Sequence, residues 1–327
     1  MVNYVVRRLL YMIVTLFFVS IIGFALIQLP PGSALTVKIQ QLRAMGGNLS
    51  DDQIHSLEAR YGLNDPIQVK YWKWVSGAVH GDFGQSFTYD APVNDLIWSR
   101  IGFSLLLSTF AIIFAWLISI PAGVYSATHR YNLPDYVLTI LQFVGVAVPD
   151  FLLALLLLVF ASRYLGADVG GLFSTQYQNA PWSNEKFLDL LSHLWIPVIV
   201  IAAGSTAWLT RVMRANLLDV LNQQYVQTAR AKGLYEVTVI WKHAVRNALH
   251  PLVMALGGTL PALISSEVII SIVLNLPTTG PLYVNALINK DMYLAITFLM
   301  ALSFLTILGN LLADLLLAWV DPRVRLE

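Results

Sequence analysis

Apolar runs of about twenty residues recur along this chain, and no other feature limits its folding as strongly. The hydrocarbon core of a bilayer is about 30 Å thick and a helix rises about 1.5 Å per residue, so one such run crosses it once. Inside hydrocarbon every backbone N–H and C=O needs a partner within the protein, which makes a run of this length a helix. Six runs qualify: residues 9–29, 101–125, 137–162, 195–209, 249–274 and 292–319. The expected fold is therefore all-α, a polytopic membrane protein with about six transmembrane helices. A composition 57% hydrophobic and 12% charged agrees with this and is too apolar for an ordinary soluble domain.

The first run follows Arg7 and Arg8, the outline of a signal peptide. It is longer than a usual signal core, and no small-residue cleavage site precedes Pro30 and Pro31, so a retained anchor over residues 1–29 is expected. Residues 30–100 turn polar, with Asp51, Asp52, Glu58, Asp65, Asp82, Asp90 and Asp95 among them and aromatic Tyr71, Trp72 and Trp74. They read as a long extracytoplasmic segment, followed by a membrane core over 101–327. Within that core a polar cytoplasmic insertion lies at about 215–248.

Charge placement sets the expected orientation. Arg7, Arg8, Arg130, Arg211, Arg214, Arg230, Lys232, Lys242, Arg246, Arg323 and Arg325 are eleven of the 20 basic residues, and all fall on one side if both termini are cytoplasmic. With 20 basic against 19 acidic residues there is no overall field to attract nucleic acid. Between the third and fourth runs, Gly170, Gly171, Pro181 and Trp182 and then an amphipathic stretch from Glu185 to His193 read as an outside loop carrying a short surface helix. The fourth run is the weakest, diluted by Gly204, Ser205 and Thr206 and followed by Arg211 and Arg214, which can snorkel from a helix end.

The most informative stretch lies between the fourth and fifth runs: Gln224-Tyr225-Val226-Gln227-Thr228-Ala229-Arg230-Ala231-Lys232-Gly233-Leu234. Helix formers run up to Lys232, Gly233 supplies the backbone freedom that ends a helix, and a second helix is expected from about Glu236. Small Ala229 and Ala231 suit close approach by a partner surface, Tyr225 can fill a pocket, and Arg230 with Lys232 can reach carboxylates. A basic amphipathic helix lying on anionic lipid accounts for the same residues.

Tyr-x-x-Thr-Ala-Arg-Ala-Lys-Gly-Leu over Tyr225, Thr228, Ala229, Arg230, Ala231, Lys232, Gly233 and Leu234 resembles the EAA-type coupling loop of ABC importer permeases. More closely, the chain resembles the first of the two permeases of the peptide/opine/nickel family. Supporting stretches are Arg7-Arg8-Leu9, Tyr61-Gly62-Leu63-Asn64-Asp65-Pro66, Gly81-Asp82-Phe83-Gly84-Gln85-Ser86, His243-Ala244-Val245-Arg246-Asn247-Ala248 and Asp321-Pro322-Arg323. Pro31-Gly32-Ser33-Ala34 and Asn275-Leu276-Pro277-Thr278-Thr279-Gly280 depart from the common peptide-importer pattern. The resemblance implies a type I importer permease fold in a bacterial cytoplasmic membrane. It also implies a second homologous permease, two ATPase subunits that use ATP and Mg, and an extracytoplasmic substrate-binding protein. Short peptides are the leading cargo, an oligosaccharide or opine the alternative, and nickel the least expected of the family's cargoes.

The chain itself lacks a phosphate loop of the Gly-x-x-x-x-Gly-Lys-Ser/Thr kind, so no bound nucleotide or other cofactor is expected. It has no Gly-x-Ser-x-Gly elbow, no cysteine, and no metal-ligand spacing among His55, His80, His129, His193, His243 and His250, so neither a catalytic residue nor a metal site is expected. Ionisable residues within the runs are Asp150, Glu267 and Asp314. Asp150 follows Pro149, which can kink the third span, and Glu267 matches a glutamate near the family's external gate. These two are pathway or gate candidates, with an interhelical polar contact as the alternative. Asp314 is expected to pair with Arg323 or Arg325. An ion-coupled secondary transporter built on Asp150 and Glu267 is the reading from another class.

Overall fold

The structure, a computed structural model, describes residues 2–28, 32, 34–44, 50, 52–56, 65–166 and 170–320. Its elements in chain order are α1 (Val2–Gln28), α2 (Ala34–Ala44), α3 (Ile67–Val79), β1 (Gln85–Ser86), β2 (Ala91–Pro92), α4 (Val93–Thr128), α5 (Leu133–Ala147) and α6 (Asp150–Phe160). They continue with α7 (Asn184–Leu221), α8 (Gln224–Ala231), α9 (Glu236–Thr238), α10 (Arg246–Ala248), α11 (His250–Val273), α12 (Thr279–Ile288) and α13 (Met292–Val320). Wider π-type turns extend α6 over Ala161–Leu165 and join α9 to α10 over Val239–Val245. The chain forms two compact units, Met1–Ser104 with Pro277–Leu305, and Leu105–Leu276 with Thr306–Glu327.

In the first unit Phe24 of α1, Trp74 of α3 and Ile296 of α13 form one apolar cluster. Val93, Ile97, Ala286, Leu294 and Ala295 form another. The two-residue ribbon β1–β2 is antiparallel, with Gln85 opposite Pro92 and Ser86 opposite Ala91. A ribbon this short does not hold itself together in water. Buried Asp291 secures it, accepting from Ser86 Oγ at 2.6 Å and from the Thr88 N–H at 2.9 Å.

The second unit is organised around α7, which packs against α5, α6 and α11. Half of its apolar stretch is buried within the protein, against 17% for α1. The fourth run is therefore the most enclosed long helix rather than a marginal one, and its small polar residues reflect protein neighbours in place of lipid. Glycines on the adjoining helices let backbones meet. A Cβ added at Gly145 of α5 would stand 3.3 Å from the Ala203 carbonyl, and one at Gly123 of α4 would stand 2.6 Å from Met213 Cβ and 3.0 Å from the Thr210 carbonyl.

Four helices, α1, α4, α7 and α13, are long and apolar enough to cross a membrane singly; the count reaches six if each of two bent pairs is one span. The third expected span is such a pair. Pro149 separates α5 from α6, which diverge by 109°, so residues 137–162 do not form one straight helix. Proline has no N–H to give and disfavours helical backbone in the residue before it, and Val148 is accordingly extended. The fifth span, α11, bends by 51° at Pro261.

Glu185 to His193 is likewise not a separate surface helix, because it forms the beginning of α7. Ser183 caps that helix, accepting from the Lys186 N–H at 3.2 Å. The preceding loop is strapped down by buried Lys186, whose Nζ donates to the Ala180 carbonyl at 2.6 Å and lies 4.8 Å from the Phe173 ring centroid. Ser174 donates to Asp189 from both its N–H and its hydroxyl, at 2.8 and 2.5 Å.

The contact between α4 and α7 makes Gly123 intolerant of bulk. Gly123→Val should lower stability by about 1–3 kcal/mol through overpacking, read as an earlier thermal unfolding of the purified protein in detergent. Gly102→Ala, at a site with no neighbour within 4 Å, should unfold with the wild type.

Candidate functional site

Segment 224–248 leaves the end of α7 as two helical pieces around a bend, as its sequence predicts. In α8, Val226 and Ala229 are buried and share one face, as residues three apart do. That face packs on the wide turns of Val239–Val245. The helix is tied back to α7 by Gln227 Nε2, which donates to the Leu221 carbonyl at 3.2 Å. It is tied forward to α10 by Asn247 Nδ2, which donates to the Tyr225 hydroxyl at 2.7 Å. The Thr228 hydroxyl turns inward along its own helix to the Gln224 carbonyl, 2.8 Å away.

The bend is a left-handed closing turn. Gly233 has φ +74°, its N–H donates to the Arg230 carbonyl at 2.9 Å, and the Leu234 N–H reaches back to Ala229 at 3.4 Å. The Lys232 N–H donates to Thr228 at 3.1 Å. The run Thr-Ala-Arg-Ala-Lys-Gly-Leu thus spells out a helix end with its last carbonyls satisfied. A Cβ at Gly233 would meet nothing within 4 Å, so backbone conformation rather than space calls for glycine.

Two expectations for this segment are corrected. Ala229 cannot receive a partner, because it faces inward with Val226; Ala231, two residues on, is the exposed one. Arg230 is already engaged within the chain. Its Nη2 lies 2.6 Å from Glu236 Oε1 and its Nε 3.1 Å from Oε2, a forked pair across the bend. Those hydrogen bonds hold the Glu236 carboxylate below its usual range and push the guanidinium up. A depressed carboxylate stabilises above its ordinary value of 4.5, and that contribution disappears only as pH falls through the lower folded-state value. The bend is therefore braced throughout neutral pH.

Outward on this segment are Tyr225, Thr228, Ala231, Lys232, Gly233 and Leu234, joined by Tyr235, Val237 and Trp241. Tyr235 is 85% exposed. Sequence reading missed these last three, although aromatic and β-branched residues in a polar insertion were the available signal. These exposed, mostly apolar side chains, with basic Lys232 and Lys242 among them, flank a braced turn, which suits docking against a protein surface.

The pathway candidates lie apart from this tip in the chain. Glu267 is 1% exposed on α11, with the Ser271 hydroxyl 3.4 Å from its Oε1. Asp150 opens α6 immediately after the sharp bend, partly exposed, where a carboxylate complements the positive end of the helix. Asp314 is partly buried on α13; Arg323 and Arg325, its expected partners, lie outside the described residues, as do Tyr61–Asn64 and Asp321. Among the described residues no group of three His, Asp or Glu could hold a metal ion. One of the two departures in sequence acquires a structural reason. Asn275 takes φ +53° at the end of α11, and Leu276 N–H reaches the Ser271 carbonyl at 2.8 Å, so it closes that helix as Gly233 closes α8.

Known membrane transport proteins match the whole length of the chain. Residues 119–326 match the family described as "Binding-protein-dependent transport system inner membrane component", and residues 1–109 match the N-terminal region of such components. Over 99% of each chain, the protein is 37% identical to the oligopeptide transport system permease protein AppB of Bacillus subtilis. It is 33% identical to OppB of Haemophilus influenzae and 32% identical to OppB of Escherichia coli K12, over 99% of this chain and 100% of each relative.

The closing turn yields a direct expectation. Gly233→Ala should cost about 1 kcal/mol, since a side chain in the left-handed region is strained. Hydrogen exchange of the Leu234 amide should then speed up by about fivefold. Gly233→Asn should fall between the two, because asparagine tolerates that backbone.

Proposed function

Because the chain belongs to the family of binding-protein-dependent transport system inner membrane components, we propose that it is one of two permeases of an ATP-driven importer. It is a multi-pass membrane component of a transporter, and in this reading it supplies half of the translocation pathway. Two separate ATPase subunits use ATP and Mg, and an extracytoplasmic binding protein delivers the solute. Both termini lie in the cytoplasm, the side on which the short basic loops fall.

The observation that carries the reading is the braced tip at 224–241: exposed apolar side chains with Lys232, on a helix closed by the Gly233 turn and bonded through Gln227 to the last turn of α7. An ATPase subunit that grips Tyr225, Ala231 and Leu234 acts on α7 through a helix that cannot hinge freely at either end. Closure of the ATPases on ATP then biases the spans between inward and outward access. The bends at Pro149 and Pro261 supply non-uniform helices of the kind that line polar cavities in membranes.

The cargo is short peptides, on the strength of full-length relatives named as oligopeptide permeases. Asn275 closes a helix, so its departure from the common pattern supplies no argument for an oligosaccharide or opine.

The test is uptake by proteoliposomes holding the purified complex and its binding protein. Labelled short alanine peptides should accumulate only with Mg-ATP, and collapse of ion gradients should leave uptake unchanged. Uptake driven by an ion gradient without ATP would replace this reading with a secondary transporter. In the same assay Glu267→Gln should alter uptake rate or basal ATP hydrolysis by several-fold if Glu267 lines the pathway; wild-type kinetics would assign it to helix packing.

A further inference from the structure

Arg214 stands near the end of α7, seven residues before the helix closes at Leu221, about 10 Å along its axis at 1.5 Å per residue. Its Nη2 lies 3.0 Å from Asp135 Oδ2, and its Nε donates to the Ser126 carbonyl at 3.4 Å. Asp135 is 2% exposed, while the Arg214 side chain is 30% exposed. The same Oδ2 accepts the Tyr131 N–H at 3.0 Å, and the Asn132 side chain accepts the Asp135 N–H at 2.9 Å. The Arg214–Asp135 pair therefore joins the last turn of α4, the turn that follows, the start of α5 and the base of α7.

Two features mark this as a junction with a particular geometry. Tyr131 occupies the left-handed region at φ 62°, a conformation that side chains rarely adopt, and its N–H is given to Asp135. Met213, next to Arg214, is fully buried against Gly123 of α4, which holds the backbone that carries the guanidinium close to that helix. An apolar pair of similar volume often serves stability as well as a buried ion pair does; what a guanidinium shared between a carboxylate and a backbone carbonyl adds is a fixed register between elements.

We propose that Arg214 and Asp135 are positioning residues for energy coupling. They clamp the turn between α4 and α5 to the base of α7, so that displacement of the tip at Gln224–Leu234 reaches α4 and α5 together with α7. Without the clamp, α7 swivels alone and part of the ATPase stroke is lost. This rests on the docking role proposed for that tip.

The experiment uses the whole transporter, with its companion permease, ATPase subunits and binding protein, in proteoliposomes. Asp135→Asn, Arg214→Gln, the double variant and Arg214→Lys are compared for yield of assembled complex, ATP hydrolysis, and labelled alanine peptide taken up per ATP. The expected result is assembly and hydrolysis retained, with uptake per ATP down about tenfold in each single variant. The double variant should fall no further, since both changes break one contact. Arg214→Lys, which keeps the charge but loses the contact to Ser126, should recover part of the loss.

Assembled single variants with a wild-type ratio of uptake to ATP overturn the proposal. If Asp135→Asn and Arg214→Gln do not assemble while Arg214→Lys assembles with a wild-type ratio, the pair serves stability alone and the proposal also fails. A wild-type complex whose uptake is independent of ATP overturns the importer reading itself, a result distinguishable from the first two.

Discussion

The second unit depends on α7 approaching its neighbours at backbone distance. Lipid offers no hydrophobic force to drive helices together, so close packing and internal hydrogen bonds have to do it. Gly123 and Gly145 provide that approach on two adjoining helices, and Met213, Leu209 and Ile196 of α7 are buried. A helix enclosed in this way is a stiff member in an otherwise lipid-facing protein. Its position, rather than its hydropathy, explains why it tolerates Gly204, Ser205 and Thr206.

That stiffness gives meaning to the segment that follows. A loose loop at Leu221 would absorb any movement applied to it. Instead Gln227 bonds to the last turn of α7, Asn247 bonds to Tyr225, and Arg230 spans the bend to Glu236. The exposed pair is worth little as a stabilising contact, about 0.2–1 kcal/mol for its class. Its consequence is geometric, because it ties the two helical pieces together across Gly233 while Tyr225, Leu234 and Tyr235 stay exposed.

Much of this was legible in the sequence because it is local. Gly233 as a helix terminator, the second helix from Glu236 and the six apolar stretches all follow from backbone preference and run length. What was not legible depends on tertiary neighbours. Spacing alone does not say that Ala229 turns inward, that Arg230 is consumed by Glu236, or that Glu185 to His193 continues into α7. The 109° divergence after Val148 was only half signalled, since Pro149 predicts a kink but not its size. Asn132-Leu133-Pro134-Asp135 was a readable helix start, a cap followed by proline and an acid, yet its carboxylate becomes important only through Arg214, 79 residues away.

Docking of the tip at 224–234 on an ATPase subunit can be tested by proximity. The chain contains no cysteine, so a single introduced thiol is unique within it. Ala231→Cys, exposed on α8, would be cross-linked in native membranes with a short thiol-to-amine reagent, with Gln176→Cys in the loop before α7 as the comparison. Docking there gives a product between Ala231→Cys and an ATPase subunit, changed in yield by ATP, and none from Gln176→Cys. Cross-linking of Ala231→Cys to lipid alone, or equal capture of the ATPase from both positions, would contradict it.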